Sequence, residues 1–133
     1  MKNKDYLNNI FSLKDKVIVV TGASGLLGKM HVEAIASQGG IPVIVDINED
    51  GLNEVYSYIL SEYSIECFIE IVDITNEGEL LSSSLRIIEK YGKIDGLVNN
   101  AARNPSISKD QKINFNRLES FDRKAWDLDL SVG

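Results

Sequence analysis

The chain has 133 residues, which is enough for one domain with a buried core but short for a complete doubly wound enzyme. It carries 20 acidic and 14 basic side chains, for a formal net charge of −6, and no basic run, which disfavours nucleic acid and anionic membranes as partners. It has no apolar run near the ~18 residues of a membrane span. It also has too few cysteines for an internal disulfide, so we expect a cytoplasmic protein.

Residues 1–15 are polar with scattered apolar side chains, which predicts an arm or a short helix. The apolar run 17–20 then leads directly into glycines at positions 22, 25 and 28. Glycine lets a ligand approach the backbone closely, and the first N–H groups of a helix have no partner within that helix. A strand, a glycine turn and a helix start therefore favour a bound pyrophosphate, although an ordinary strand-to-helix turn has the same pattern.

Further strand and helix patterns alternate after this turn. Residues 41–45 predict a second strand that stops at Asp46, and residues 52–63 have the apolar spacing of a second helix. A third strand is predicted at 66–72, where Glu70 interrupts the apolar pattern and indicates a sheet edge. Asn76 and Glu79 form a capping box for a third helix, and residues 94–98 predict a fourth strand.

This alternation predicts an α/β fold. We expect a Rossmann-like parallel sheet in the order 3-2-1-4 with helices on both faces, an incomplete doubly wound domain over residues 16–133. Residues 103–119 are predicted to form a surface loop before a last helix. Helical spacing predicts two buried faces, listed for the first and third helices in turn: Leu27, Met30, Ala34 and Ile35; Leu81, Leu85 and Ile88. Cys67 is predicted to be a small buried hydrophobe and His31 a surface residue rather than a ligand.

Asp46 ends the second strand, next to the glycine turn in the predicted sheet order. From there its carboxylate could accept hydrogen bonds from both ribose hydroxyls of an adenosine while repelling a 2′-phosphate. This predicts NAD as the cofactor, with NADP less favoured. Lys29, the only cation near the turn, weakens that preference, and a turn-forming aspartate before Asn48 is the structural alternative.

Four motifs in this order resemble those of the short-chain dehydrogenase/reductase family. They are Thr21-Gly22-Ala23-Ser24-Gly25-Leu26-Leu27-Gly28, Asp73-Ile74-Thr75, Asn99-Asn100-Ala101-Ala102 and Trp126-Asp127. The last segment is also similar to bacterial members named for flagellin modification or sugar-nucleotide dehydrogenation. That similarity implies a sugar or sugar nucleotide as substrate.

The resemblance implies an oxidoreductase that transfers a hydride between a nicotinamide cofactor and an alcohol or carbonyl compound, with homo-oligomers in the full-length form. It also implies roles for the matching residues: Gly22, Ser24, Gly25, Leu27 and Gly28 at the pyrophosphate, Asp46 and Ile47 at the adenosine ribose, Asp73 and Ile74 at the adenine, and Asn100, Ala101 and Ala102 beside the nicotinamide half.

Some family features are missing. Gly25 comes one residue earlier than in the commonest form of the glycine turn, Ala102 stands in place of a glycine, and Gly133 stands where an asparagine is usual. The family's Tyr-x-x-x-Lys acid/base pair does not occur in this sequence, so no catalytic residue is assigned. We therefore expect the cofactor-binding N-terminal part of an enzyme, inactive alone. The alternative is a non-catalytic protein that binds a nucleotide or pairs with another subunit.

Overall fold

In a computed structural model, residues 10–103 and 123–132 can be described. They form β1 (Val17–Thr21), α1 (Leu26–Ser37), β2 (Ile41–Asp46), α2 (Glu49–Tyr63), β3 (Phe68–Ile71), α3 (Glu77–Tyr91), β4 (Gly96–Val98) and α4 (Arg123–Val132). The chain divides into two compact units, Met1–Ala101 and Ala102–Gly133. The predicted N-terminal arm and the predicted loop at 103–119 lie mostly outside the described residues.

The four strands form one parallel sheet in the order β3-β2-β1-β4, as predicted. Val19 in β1 lies between Val43 of β2 and Leu97 of β4. Because β1 and β2 are the two inner strands, their carboxyl ends meet at the middle of one sheet edge. This is the edge at which ligands bind in open parallel sheets.

Alternate residues of the inner strands feed two separate cores. Val20 and Ile44 pack with helix residues such as Leu52 in one cluster, while Val19 and Val43 belong to the other. The two inner strands, β1 and β2, therefore pack against a core on each face of the sheet. This explains why their sequences are continuously apolar rather than alternating. Complete burial of each such side chain contributes roughly 1.5–3 kcal/mol.

The predicted buried face of α1 was largely wrong. Ile35 is buried, but Leu27 and Met30 are exposed, and so is Ala34. The face that packs on the sheet consists of Gly28, Val32, Ile35 and Ala36. The helix lies too close to β1 for large side chains at its first turn, so small residues occupy the contact and the long ones face outwards.

The predicted buried face of α3 was also wrong, since Leu81 and Leu85 are each 62% exposed and Ile88 is 44% exposed. Only Ser83 and Ile87 of this helix are buried. The regular spacing correctly placed the three apolar residues on one side of the helix. It could not show that no described element covers that side. The edge strands are shorter than predicted: β3 lacks residues 66, 67 and 72, and β4 lacks 94 and 95.

The predicted capping box of α3 is only half formed. Asn76 Oδ1 accepts hydrogen bonds from the N–H groups of Gly78 and Glu79, and its Nδ2 donates to Glu79 Oε1. The Asn76 N–H donates to the Asp73 carbonyl rather than to the Glu79 side chain. Cys67 is buried just before β3, and burial raises the pKa of its thiol to about 12. His31 is exposed, as predicted. Within the described residues, no helix has both the length and the apolar character needed to cross a membrane.

Candidate dinucleotide site

The glycine turn is packed so closely that two of its glycines cannot be replaced without a shift of backbone. Gly22 has a φ of +65°, and a Cβ there would lie 2.8 Å from Ala101 Cα. A Cβ on Gly28 would lie 2.0 Å from the Gly22 carbonyl oxygen. The Gly28 contact brings the first turn of α1 against the residues that follow β1, and the Gly22 contact brings those residues against the segment after β4.

The N-terminus of α1 differs from those of α2 and α3. Gly25 caps α1 without a side-chain hydrogen bond, and the first turn contains no acidic residue. By contrast, Asn48 and Asn76 cap the next two helices, and each of those helices has two acidic residues in its first turn. The first N–H groups of α1 therefore have no side-chain acceptor within the described chain, and the positive end of the helix dipole is not neutralised there.

The turn is also open to solvent. Leu27, in the first turn of α1, is 60% exposed, and Gly25 has only the Gly22 carbonyl oxygen near a hypothetical Cβ, at 3.3 Å. An anion could therefore reach the backbone amides without moving a side chain of the described residues 10–101. This is the geometry that binds phosphate in dinucleotide sites.

Thr21 joins the glycine turn to the segment after β4. Its hydroxyl donates to the Val98 carbonyl at 3.3 Å and accepts from the N–H groups of Asn100 and Ala101, both at 3.1 Å. In return, the Asn100 amide donates to the carbonyls of Thr21 and Gly22 at 3.0 and 3.1 Å. Asn100 is therefore held against the turn by three hydrogen bonds, one from its N–H and two from its side-chain amide.

Asp46 lies at the end of β2 with its carboxylate directed at the glycine turn. Its Oδ2 accepts hydrogen bonds from the Ser24 hydroxyl at 2.6 Å and the Ser24 N–H at 3.0 Å, and its Oδ1 accepts from the Asn48 N–H at 3.1 Å. Ile47, the next residue, is 72% exposed. The predicted ribose-binding residues thus lie beside the predicted pyrophosphate-binding turn.

Asp73 and Ile74 follow β3 at the same edge of the sheet. The Val72 N–H donates to the Asp46 carbonyl at 3.1 Å, which places this segment next to the end of β2. Asp73 Oδ1 accepts hydrogen bonds from the hydroxyl and the N–H of Thr75, and both lower the pKa of the Asp73 carboxyl. Ile74 packs against the core cluster that contains Val72.

The predicted site residues are therefore brought together at one edge of the sheet, with one exception. Ala102 is exposed and belongs to the second compact unit, Ala102–Gly133. Sequence reasoning assigned no role to Thr21, although Thr21 belongs to the quoted motif. It also missed Gly51 in the first turn of α2, where a Cβ would lie 2.7 Å from Ser24 Cβ. No local signal in the sequence marks this close approach, which comes from the packing of α2.

Comparison with known proteins agrees with this arrangement. The family model described as short chain dehydrogenase matches residues 16–128. Among curated proteins, the chain is 38% identical over 88 residues to the CLA biosynthesis dehydrogenase/reductase of Lactiplantibacillus plantarum, an alignment that covers 66% of this chain and 30% of that protein. It is 36% identical over 89 residues to the post-translational flagellin modification protein A of Campylobacter coli, which covers 67% and 35%. The chain thus spans about a third of the length of these relatives.

Solved structures show the same fold at low sequence identity. The crystal structure of NAD⁺-bound xylitol dehydrogenase matches with a TM-score of 0.75 and 21% identity, covering 90% of this chain and 43% of that one. A metagenomic short-chain oxidoreductase in complex with NADP matches with a TM-score of 0.76 and 23% identity, covering 90% and 50%.

Proposed function

Because this chain belongs to the short-chain dehydrogenase family, we propose that residues 16–133 are the cofactor-binding part of an NAD-dependent oxidoreductase, preceded by an arm at residues 1–15. The cofactor would supply the hydride chemistry, and the substrate would be an alcohol or a carbonyl compound. The observation that carries the proposal is the uncapped N-terminus of α1, open to solvent beside an ordered glycine turn.

The roles that we propose for the residues follow their positions along the sheet edge. The amides between Gly22 and Gly28 bind the pyrophosphate, and Asp46 with Ile47 binds the adenosine ribose. Asp73 and Ile74 flank the adenine ring. Asn100, Ala101 and Ala102 support the nicotinamide half. The hydrogen bonds between Asn100 and Thr21 would keep this segment rigid.

We favour NAD over NADP on the basis of charge. The Asp46 carboxylate at the ribose position would repel a 2′-phosphate. Lys29 is the cation nearest the turn in sequence. Its Nζ lies 3.4 Å from Glu54 Oε2 on α2, and this carboxylate partly neutralises its charge. Relatives of this fold include one crystallised with NAD⁺ and one with NADP, so the family alone does not favour either cofactor.

We further propose that the 133-residue chain does not turn over substrate alone. Proton transfer to or from the substrate oxygen needs a positioned acid/base group, and the family's Tyr-x-x-x-Lys pair does not occur in this sequence. We also propose a sugar or sugar-nucleotide substrate for the whole enzyme, as the resemblance of the last segment to members named for flagellin modification or sugar-nucleotide dehydrogenation implies.

Isothermal titration calorimetry of the 133-residue chain tests the proposal, with NAD and NADP as ligands. We expect NAD to bind more tightly than NADP. The variant Leu27→Asp should weaken binding of both, because it places a negative charge in the first turn of α1. Leu81→Asp, at a side chain of similar exposure on α3, is the matched control and should bind like the unmodified chain. A folded chain that binds neither dinucleotide would contradict the proposal.

A second candidate function is pairing with another subunit. The exposed apolar side of α3, with Leu81 and Leu85, and the 58% exposed Leu97 on the edge strand β4 favour it. Analytical ultracentrifugation in the absence of nucleotide distinguishes the two candidates. A dimer that Leu85→Lys dissociates, in a chain without nucleotide affinity, would support pairing alone.

A further inference from the structure

A groove of about 400 Å³ lies between α1 and α2. Three large side chains that line it are exposed: Leu26 by 77%, Met30 by 56% and Tyr58 by 47%. Charged side chains, Lys29 and Glu54 among them, line the same groove. Exposed apolar side chains with charged residues around them indicate an interaction surface.

Two contacts between the helices cross this α1–α2 groove. Lys29 Nζ lies 3.4 Å from Glu54 Oε2, and the Tyr58 hydroxyl donates to Glu33 Oε1 at 2.8 Å. The Tyr63 hydroxyl donates to the same Glu33 oxygen, at 2.9 Å. Glu33 Oε2 accepts no hydrogen bond from the described residues, and the Glu54 side chain is 73% exposed. Both carboxylates can therefore accept further donors.

The charge of the two helices favours a cationic occupant of the groove. Their five acidic residues are Glu33, Glu49, Asp50, Glu54 and Glu62, against one lysine and one histidine. Opposite charges on two surfaces favour their association, and like charges oppose it. The body of a second copy of this chain, whose net charge is −6, is therefore a poor occupant, whereas a basic segment with apolar side chains fits.

The first nine residues of the chain have this character. They contain Lys2 and Lys4 against a single acidic residue, Asp5, and they carry the α-amino group. Tyr6 and Leu7 add apolar side chains to the same segment. These nine residues lie outside the part of the chain that the structure describes.

The segment 1–9 is attached close to one end of the groove. The Leu13 N–H donates to the Gln38 carbonyl at 2.9 Å, and Leu13 packs on the same core cluster as Tyr63. Met30 lies roughly 12 Å from Gln38 along the axis of α1, at the usual rise per residue. Residues 1–12 span up to ~40 Å when extended, so the segment can reach the whole groove.

We propose that the segment 1–9 binds in the α1–α2 groove of its own chain. Its lysine ammonium groups pair with the carboxylates of Glu33 and Glu54, and its apolar side chains cover Met30. The inference does not depend on a bound dinucleotide, so it stands or falls separately from the proposed function.

Zero-length carbodiimide cross-linking of the 133-residue chain, followed by peptide mass spectrometry, tests the proposal. In the monomer fraction we expect Lys2 or Lys4 to be joined to Glu33 or Glu54. Glu89, an exposed carboxylate on α3, is the internal control. It is within reach of an unbound segment, because Lys93, just after α3, donates to the Asp15 carbonyl. Cross-links to the groove should therefore be several-fold more abundant than cross-links to Glu89.

Oxidation of Met30 by hydrogen peroxide gives a second readout, since a bound segment would shield its exposed thioether. Lys4→Glu weakens binding of the segment. We expect Met30 to be oxidised about two- to fivefold faster in this variant, the effect of one exposed ion pair. Lys14→Glu, at an exposed lysine near the N-terminus, is the matched control and should leave the rate unchanged.

Three results would overturn the proposal. Cross-links to Glu89 as abundant as those to the groove would mean that the segment does not bind there. Equal Met30 oxidation rates in folded Lys4→Glu and the unmodified chain would mean the same. Groove cross-links confined to a dimer fraction would place the segment on a second copy instead of its own chain. Circular dichroism reports whether Lys4→Glu folds, and the cross-linking arm uses only the unmodified chain.

Discussion

Glu70 on the edge strand β3 and Arg86 on α3 form an ion pair in which the carboxylate is buried and the guanidinium is not. Glu70 is 3% exposed and the Arg86 side chain is 49% exposed. Arg86 Nε donates to both carboxylate oxygens, at 3.0 and 3.2 Å, and Arg86 Nη2 makes a further short hydrogen bond to Oε2. The pair also raises the pKa of Arg86. The ion pair therefore links β3, through Glu70, to α3, through Arg86.

Removal of the arginine should destabilise the fold more than removal of the pair. Arg86→Met leaves a buried carboxylate without a partner, and we expect the melting temperature to fall by several degrees. The double variant Glu70→Leu with Arg86→Met should recover most of that loss, because a buried charge no longer remains. Arg123→Met, at a 93% exposed side chain, is the control. Equal melting temperatures for Arg86→Met and the control would contradict the burial of Glu70.

Glu70 also shows how far the sequence could be interpreted. Its charge within an apolar run correctly predicted an edge strand. That prediction relied on a local pattern, as did the sheet order, the glycine turn and the Asn76 cap. The burial of Glu70 under Arg86 depends instead on how α3 docks, which residues in the same strand do not encode.

The same distinction applies to the candidate site. The motifs placed Gly22, Asp46 and Asn100 at one sheet edge, because parallel strands bring their carboxyl ends together. The hydrogen bond from Ser24 to Asp46 links two separate elements, and Ser24 also approaches a third at Gly51, where a Cβ would lie 2.7 Å from Ser24 Cβ. Periodicity gave the wrong buried face for α1 because Gly28, which has no side chain, decides which side of that helix meets β1.

Gly28 should be the least tolerant of substitution among the three glycines of the turn, Gly22, Gly25 and Gly28. A Cβ at this position would lie 2.0 Å from the Gly22 carbonyl oxygen and 2.8 Å from Ala23 Cα, both backbone atoms. We expect Gly28→Ala to abolish cooperative thermal unfolding or soluble expression. Gly78→Ala in the first turn of α3 is the matched control. A Cβ at Gly78 would have Asn76 Oδ1, at 3.4 Å, as its nearest neighbour, which is an ordinary van der Waals distance. The control should be neutral or stabilising by up to ~1 kcal/mol in a chemical denaturation. A native-like Gly28→Ala would show that α1 can move away from β1.

Asp95 should make the fold sensitive to acid. The hydrogen bond from the Val17 N–H, followed by that from Lys93, holds the pKa of Asp95 well below its usual range. A lowered pKa in the folded state means that the ionised form stabilises the fold. This contribution is fully present above the unfolded-state pKa of about 3.9 and is lost as the pH falls towards the lowered value.

The variant Asp95→Asn tests this relation. We expect it to be less stable than the unmodified chain in urea denaturation between pH 5 and 8, by an amount that is constant over this range. The difference should shrink below about pH 4. Glu89→Gln, at an exposed residue of α3, is the control for the loss of one negative charge. A difference between Asp95→Asn and the unmodified chain that is the same at pH 3 and pH 7 would show that the carboxylate charge has no part in it.

Tyr58 and Tyr63 should give the opposite pH dependence. Both phenol groups on α2 donate to Glu33 Oε1 on α1, at 2.8 and 2.9 Å. These bonds lower the pKa of Glu33, and the bond to Glu33 is the largest cause that raises the pKa of Tyr58, to about 12. Because the folded-state pKa of Tyr58 is raised, its contribution is present below the unfolded-state pKa of about 10 and is lost as the pH rises towards 12.

Glu33→Gln should therefore lower the pKa of Tyr58 towards 10, which ultraviolet titration of phenolate absorbance measures. Tyr58→Phe should remove the titration step near 12 and leave one phenol bonded to Glu33. Since the two tyrosines share one acceptor, the loss of stability in Tyr58→Phe with Tyr63→Phe should differ from the sum of the single losses. Tyr91→Phe, whose ring packs on Phe68 at the far side of the sheet, serves as the control and should leave the step near 12 in place. If Glu33→Gln leaves that step unchanged, the carboxylate is not the partner that sets it.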